Sequence, residues 1–76
     1  MYFERIPDFV EELLVIHYYS SYELSRIKNG IKLFGKENNK VYDYDVDEQR
    51  CEVLITVDDY DDYKRLKYLI LTAIIN

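Results

Sequence analysis

Hydrophobic and polar residues follow a helical rhythm near the N-terminus of the chain, and this pattern predicts two successive helices. After Pro7, a residue favoured at helix starts, apolar positions recur with helical spacing, which predicts a helix over residues 8–19. Ser20 and Glu23 are spaced as a capping box, which predicts a second helix over residues 21–29. The two helices are either fused or separated by a kink.

Strands are predicted in the middle of the chain. Three segments with short apolar runs or alternating patterns, residues 31–34, 40–46 and 51–57, predict an antiparallel meander. Residues 15–19 are also rich in β-branched and aromatic side chains, so a strand there is the competing interpretation of the N-terminal helix.

The last two strands can be paired so that their apolar side chains share one face. With Val46 opposite Cys51 across the connecting loop, Cys51 takes an inward position as a small hydrophobic residue. Asp43, Asp45 and Glu52 then project from the opposite face, where like charges oppose each other. This register predicts an acidic face on the sheet.

A final helix is predicted over residues 59–75, and its acidic start is suited to capping. Asp58 is the expected N-cap residue, and Asp61 takes the acidic position of a capping box. One apolar row is expected to pack on the sheet: Tyr63, Leu66, Ile70, Ala73 and Ile74. A second apolar row lies on another side: Tyr60, Tyr68, Leu71 and Ile75. The second row predicts a further packing partner, either the N-terminal helix or a second copy of the chain.

Together these elements predict one α+β domain, with an N-terminal helix that is kinked or split, a three-stranded antiparallel meander, and a C-terminal helix packed on one face of the sheet. Of the 76 residues, 49% are hydrophobic and only two are Gly and one Pro, which predicts a folded chain. A chain this short buries only about 60% of its unfolded surface, so a homodimer through the C-terminal helix would add stability. The single Cys51 and the lack of a signal or membrane-spanning segment predict a cytoplasmic protein.

Charge is distributed unevenly along the chain, although the net charge is only −5. Residues 43–62 carry one base and nine carboxylates: Asp43, Asp45, Asp47, Glu48, Glu52, Asp58, Asp59, Asp61 and Asp62. Residues 26–40 carry one acid and five bases: Arg26, Lys28, Lys32, Lys36 and Lys40. The acidic stretch predicts a surface for a basic protein, and its field makes direct binding of nucleic acid by the basic stretch less favourable.

Catalytic and metal-binding interpretations of these residues are weaker. Residues 43–47 alternate aspartates as in a calcium loop, but the glycine and the final glutamate of such a loop are missing from the required positions. The four aspartates of residues 58–62 resemble a magnesium site, although helix capping explains them without a ligand. His17 and Cys51 are candidates for a base and a nucleophile, and each also suits a core position. We therefore expect no enzyme activity, no metal and no cofactor.

The composition favours an interaction protein. Nine tyrosines are more than the core of a small domain can bury, so some are expected on a protein-binding surface beside the acids. In size, acidity and lack of catalytic groups, the chain resembles small phage and viral inhibitors of host defence or transcription, including anti-CRISPR and DNA-mimic proteins. We expect an acidic module that occupies a basic, nucleic-acid-binding groove of a partner protein. The alternatives are a structural or regulatory homodimer, and a nucleic-acid-binding regulator that uses residues 26–40.

Overall fold

A computed structural model describes residues 1–7 and 11–72 of the chain, with the order strand, strand, helix, strand, strand, helix. The elements are β1 (Tyr2–Pro7), β2 (Glu12–His17), α1 (Ser21–Asn38), β3 (Tyr44–Asp47), β4 (Glu52–Val57) and α2 (Tyr60–Thr72). The predicted α+β class is confirmed, whereas the predicted order of elements is wrong.

The N-terminal segment forms two strands in place of the helix predicted over residues 8–19. Pro7 ends β1 and does not open a helix. Phe9 and Val10, which belong to the predicted apolar stripe, lie outside the described residues. A strand is the competing interpretation of residues 15–19, and it is correct in type, although β2 runs from Glu12 to His17 and so starts and ends earlier.

The reason for this error lies in the burial of β2 on both of its faces. Leu14 and Ile16 are fully buried on one face, and Val15, which points to the other, is only 8% exposed. A strand that is apolar on both faces shows no alternation, so hydrophobic periodicity does not distinguish it from a buried helix.

The predicted N-cap of α1 at Ser20 is confirmed, although Glu23 bonds back to the residue before the N-cap and not to the N-cap itself. Ser20 is the N-cap residue, and its hydroxyl accepts a hydrogen bond from the Glu23 backbone N–H at 3.2 Å. The Glu23 carboxylate accepts one from the Tyr19 backbone N–H at 2.8 Å. This second bond is the main reason that the pKa of Glu23 lies below its usual value.

α1 continues to Asn38, so the helix end predicted near residue 29 and the strand predicted over residues 31–34 are both wrong. Gly30 lies inside the helix, where α2 comes close: a Cβ at Gly30 would lie 2.5 Å from Cγ1 of Ile70. The helix ends instead at Asn39, whose φ of 53° is left-handed, as is usual at helix C-termini. Gly30 therefore marks a contact between helices.

The four strands form one antiparallel sheet in the order β1-β2-β4-β3. β3 and β4 form the predicted hairpin, but β4 pairs on its other side with β2, so the predicted meander is wrong. β2, α1 and β3 make a split βαβ unit in which β4 is inserted between the two parallel strands. β1 adds an edge strand beside β2.

Both helices pack on the same face of this sheet and form the core with its central strands. The helices contribute Ile27, Ile31, Phe34, Leu66 and Ile70, and the central strands contribute Leu14, Ile16, Val53, Ile55 and Val57. All of these side chains are at most 3% exposed, so the helices fully cover the centre of this face, while Tyr44 at its β3 edge stays 36% exposed.

The register of the β3–β4 hairpin is offset by two residues from the predicted one. Val46 lies opposite Val53, and Asp45 lies opposite Leu54. Because the offset is even, each side chain keeps its predicted face. Cys51 is displaced from the strand: it is exposed in the turn, with a left-handed φ of 54°. The inward position predicted for Cys51 is therefore wrong.

The N-cap of α2 lies one residue later than predicted. Asp59, not Asp58, is the cap, because its carboxylate accepts a hydrogen bond from the Asp62 backbone N–H at 2.9 Å. The acid three residues after the cap is accordingly Asp62 rather than Asp61.

Arg26 of α1 satisfies carbonyl groups near the other end of α2. Its guanidinium donates to the Leu71 carbonyl at 2.5 Å and to the Ile70 carbonyl at 3.3 Å. Three residues of the predicted apolar rows lie outside the described part of the chain: Ala73, Ile74 and Ile75.

Candidate functional site

The face of the sheet that the helices do not cover is the candidate site, and we call it the open face. Strand alternation and the observed pairing place the following residues on it: Tyr2, Glu4, Ile6, Leu13, Val15, His17, Asp45, Asp47, Glu52, Leu54 and Thr56. The side chains of this set therefore project to the side opposite the helices.

An apolar strip crosses the open face from β1 to β4. Val15 lies directly opposite Leu54, and Leu13 lies directly opposite Ile6. Ile6 is 47% exposed, whereas Val15 at the centre is only 8% exposed, so its neighbours shield it from solvent. Exposed contiguous apolar side chains of this kind are typical of interaction surfaces.

Four carboxylates surround the apolar strip. Glu4 on β1 and Asp45 on β3 flank it, because they lie opposite its two central residues. Asp47 and Glu52 lie opposite each other at the turn end of the hairpin, a pairing of like charges that weakens the sheet. None of the open-face residues is Lys or Arg, and His17 is the one side chain among them that can carry positive charge.

His17 links the carboxylates of the strands on either side of β2. Its Nε2 lies 2.5 Å from Oε1 of Glu4, and its Nδ1 lies 3.4 Å from Oε2 of Glu52. The imidazole also packs on the ring of Tyr2, with 5.1 Å between the ring centres. The imidazole therefore lies between two carboxylates, and the four carboxylates of the open face outnumber this one basic group.

The nine predicted acids are divided between two places. Asp45, Asp47 and Glu52 lie on the open face, while Asp43 is exposed before β3 and Glu48 is exposed in the turn after it. The other four lie beyond the opposite end of β4, at the start of α2: Asp58, Asp59, Asp61 and Asp62. A strand rises about 3.4 Å per residue, so about 17 Å separate the two ends of β4.

The acids at the start of α2 have local partners. The Lys40 ammonium lies 3.9 Å from the carboxylate of Asp58, and the Lys64 ammonium lies 3.3 Å from that of Asp61. Burial raises the pKa of the Asp62 carboxyl, and the neighbouring aspartates raise it further.

Local pairing does not separate the two groups of acids, because Nε of Arg50 also lies 3.9 Å from the Asp47 carboxylate. The open face is the better candidate for a site because its carboxylates adjoin an exposed apolar strip.

Sequence reasoning missed Glu4 and the β1 part of the apolar strip, because a helix predicted to begin after Pro7 leaves residues 2–7 without a strand to pair with. The strand interpretation of residues 15–19 contained the available signal. A strand there needs a pairing partner, and the segment before Pro7 is the nearest one long enough to supply it.

The second apolar row predicted on α2 is exposed where it is described. Tyr60, Tyr68 and Leu71 are 46%, 56% and 48% exposed. The guanidinium of Arg5 lies 4.5 Å from the centre of the Tyr60 ring, and that of Arg65 lies 5.2 Å from the centre of the Tyr68 ring. A homodimer through this row stays a prediction.

Two features considered from the sequence concern metals and membranes. Among the described residues, no group of three or more His, Cys, Asp or Glu side chains is arranged to hold a metal ion. The thiol of Cys51 donates to the Glu48 carbonyl at 3.6 Å, whereas His17 contacts carboxylates. No helix in the described ranges combines the length and apolar character needed to cross a membrane.

Comparisons with known proteins do not identify a relative of this chain. The chain matches no protein-family model, no curated protein and no solved structure. Function is therefore inferred from the chemistry of its surfaces.

Proposed function

We propose that the chain is a small protein-binding module whose open face docks on a basic and partly apolar surface of another protein. One observation carries the proposal: Lys and Arg are absent from the open face, and its carboxylates surround an apolar strip. Protein interfaces commonly combine an apolar centre, which supplies burial, with a polar rim, which supplies orientation and specificity.

The spacing of the carboxylates favours a partner that binds phosphates. Neighbouring strands lie about 4.8 Å apart, and alternate residues along a strand lie about 6.8 Å apart, so Asp45, Asp47 and Glu52 form a close group on the twisted surface. Glu4 lies three strands from Asp45, about 14 Å across the apolar strip, and completes an array of four acids. Arg and Lys side chains that normally contact a nucleic-acid backbone would meet such an array with complementary charge. We therefore propose inhibition, with the open face occupying the nucleic-acid-binding groove of the partner.

The second group of acids acts at longer range in this proposal. The four aspartates at the start of α2 lie about 17 Å from the turn end of β4, and their local partners engage them. Together with the net charge of −5, they increase the rate of encounter with a basic protein without contacting it.

Two isosteric double variants with the same change in charge test the proposal. Asp45→Asn/Asp47→Asn neutralises the open face, whereas Asp58→Asn/Asp61→Asn neutralises exposed acids at the far end of β4 that do not cap α2. The parent captures its partner from a host lysate, the partner is purified, and association rates with all three proteins are measured at several salt concentrations.

The expected result is specific to the open face. Its variant should associate roughly tenfold more slowly at low ionic strength and depend less on salt, while the control variant changes little. The melting temperature of the open-face variant should be unchanged or raised, because Asp47 no longer repels Glu52. If the association rate fell equally in both variants, net charge alone would explain the effect. If the rate were unchanged in both, the open face would be refuted as the site.

A further inference from the structure

A groove lies on the helix-covered side of the molecule, away from the open face, between α1 and the chain that leaves its C-terminal end. Its volume is about 910 Å³, which is at the upper end of the range for binding pockets. The charged and aromatic residues that line it are Lys28, Lys32, Lys36, Lys40, Tyr42 and Tyr44. The groove thus has a basic wall on α1 and an aromatic wall on the following segment.

The lysines of the basic wall form a regular row. Lys28, Lys32 and Lys36 are four residues apart on one face of α1, so consecutive members are separated by about 6 Å along the helix axis. All three are exposed. Within the described part of the chain, Lys40 alone among the four lysines forms an ion pair, with Asp58 at 3.9 Å. The row is therefore available to an anionic ligand.

The aromatic wall is held in place by contacts within the protein. The Tyr42 ring packs on Phe34 of the core, with 4.9 Å between ring centres, and its hydroxyl accepts a hydrogen bond from the Asn38 side chain at 3.1 Å. Tyr44 lies on the edge strand β3 and is 36% exposed. The Lys40 ammonium lies 4.8 Å from the centre of the Tyr42 ring, so Tyr44 is the better partner for a base. Aromatic rings beside a row of ammonium groups suit a ligand that carries both planar groups and repeated negative charge.

We propose that this groove binds a segment of single-stranded nucleic acid, with phosphates on the lysine row and a base against Tyr44. Bases are free to stack on protein rings only when they are unpaired, which favours a single strand over a duplex. Lysine is a common point-charge partner of phosphate, and an evenly spaced row matches a repeating backbone.

The acids of the open face do not prevent this binding. Asp45 follows Tyr44 directly on β3, but strand alternation points the two side chains to opposite faces of the sheet. The lysine row lies on α1, on the side of the sheet away from the open face. At physiological ionic strength charges are screened over about 8 Å, which weakens the repulsion between the open-face acids and a phosphate on this row.

Fluorescence anisotropy of labelled oligo(dT) of roughly 12 nucleotides, titrated with the full chain, tests the proposal. Each phosphate contact to a single strand contributes about −0.7 to the slope of log affinity against log salt, so the three lysines of the row predict a slope of about −2.1. That slope corresponds to a loss of affinity of about 18-fold between about 50 and 200 mM KCl. Lys32→Gln/Lys36→Gln should reduce the slope to about −0.7, which leaves a loss of about threefold over the same range.

Matched controls separate the groove from general charge and from exposed tyrosine. Arg50→Gln/Lys64→Gln removes the same charge outside the groove and should keep the parent slope. Tyr44→Leu should weaken binding by about fivefold or more without changing the slope, whereas Tyr19→Leu, at an exposed site outside the groove, should have no effect.

Three results would overturn the proposal: no binding of oligo(dT) at about 50 mM KCl, equal losses in both charge variants, or equally effective competition by polyglutamate. The last result would identify the groove as a site for acidic peptides. Circular dichroism of each variant confirms that it is folded, and all of the substituted lysines are exposed, so loss of folding is not expected.

Discussion

Gly30 marks the closest approach of α1 to α2, and its replacement by alanine tests whether this contact determines how the helices pair. A Cβ at this position would lie 2.5 Å from Cγ1, 2.9 Å from Cα and 3.0 Å from the backbone nitrogen of Ile70. Carbon atoms in contact lie about 3.5–4.0 Å apart, so α2 must move by about 1 Å to accept the new methyl group. Rotation of the Ile70 side chain cannot relieve the two contacts with backbone atoms.

Two effects of opposite sign determine the stability of Gly30→Ala. Alanine in a helix interior is favoured over glycine by about 1 kcal/mol of helix propensity. Overpacking a well-filled contact costs about 1–3 kcal/mol, and the upper part of that range applies because the obstacle is backbone. Movement of α2 would also disturb Leu66 and Ile70, which are fully buried. We therefore expect a net loss of about 1–2 kcal/mol in the free energy of unfolding.

Urea unfolding followed by far-UV circular dichroism measures this difference by linear extrapolation. Ser25→Ala on the exposed side of α1 is the matched control, and helix propensity alone should stabilise it by about 0.5 kcal/mol. The sign of the change in the free energy of unfolding shows whether overpacking or helix propensity dominates. If Gly30→Ala is as stable as the parent or more so, propensity dominates and the helices do not depend on this close approach.

Two further predictions concern single side chains. Cys51 is exposed in the turn, so a thiol reagent should label it rapidly in the native state; labelling that is slow until urea is added would contradict the turn position. The pKa of Asp62 is raised by burial and neighbouring aspartates, so the native state binds this proton more tightly than the unfolded chain does, and the resulting stability is lost as pH rises through the native pKa. Asp62→Asn should therefore melt at a higher temperature than the parent at pH 7. The difference in melting temperature should shrink when the pH falls below 3.8, the ordinary pKa of an aspartate. An equal difference at pH 7 and below pH 3.8 would contradict this assignment.

The C-terminal half of the fold was largely predictable because its signals are local. The β3–β4 hairpin and α2 occur where alternation and helical spacing place them. The errors there are a two-residue offset in register, a one-residue shift of the N-cap from Asp58 to Asp59, and a strand predicted over residues 40–46 that begins only at Tyr44. Asp58 and Asp59 are adjacent and have the same N-cap preference, so the sequence does not show which of them caps α2.

The N-terminal half was not predictable from local pattern, because two tertiary contacts determine it. β2 is buried by helices on one face and by its open-face neighbours on the other, which removes the alternation that would identify a strand. Gly30 resembles a helix terminator in sequence, yet it lies inside α1 because Ile70 occupies the space of a side chain. Neither partner is visible within a window of neighbouring residues.

The candidate site was predictable in part for the same reason. The predicted hairpin register places Asp45 and Glu52 on the same face of the sheet, and this placement is correct because the offset is an even number of residues. Glu4 and Ile6 belong to the site only because β1 pairs with β2, so they could not be assigned while β2 was interpreted as a helix.

The acidic and basic stretches of the sequence lie on different sides of the molecule. Strand alternation sends the hairpin acids to the open face, while the four-residue spacing of the lysines places them along the outer side of α1. At physiological salt, where charges are screened over about 8 Å, each surface would present its own field to its proposed ligand, and the net charge of −5 describes neither surface. At low salt the two fields overlap, so a basic protein on the open face would neutralise acids that repel a nucleic acid in the groove. By linkage the nucleic acid would then favour the basic protein to the same extent, so the two proposed sites reinforce each other at low ionic strength and act separately at physiological salt.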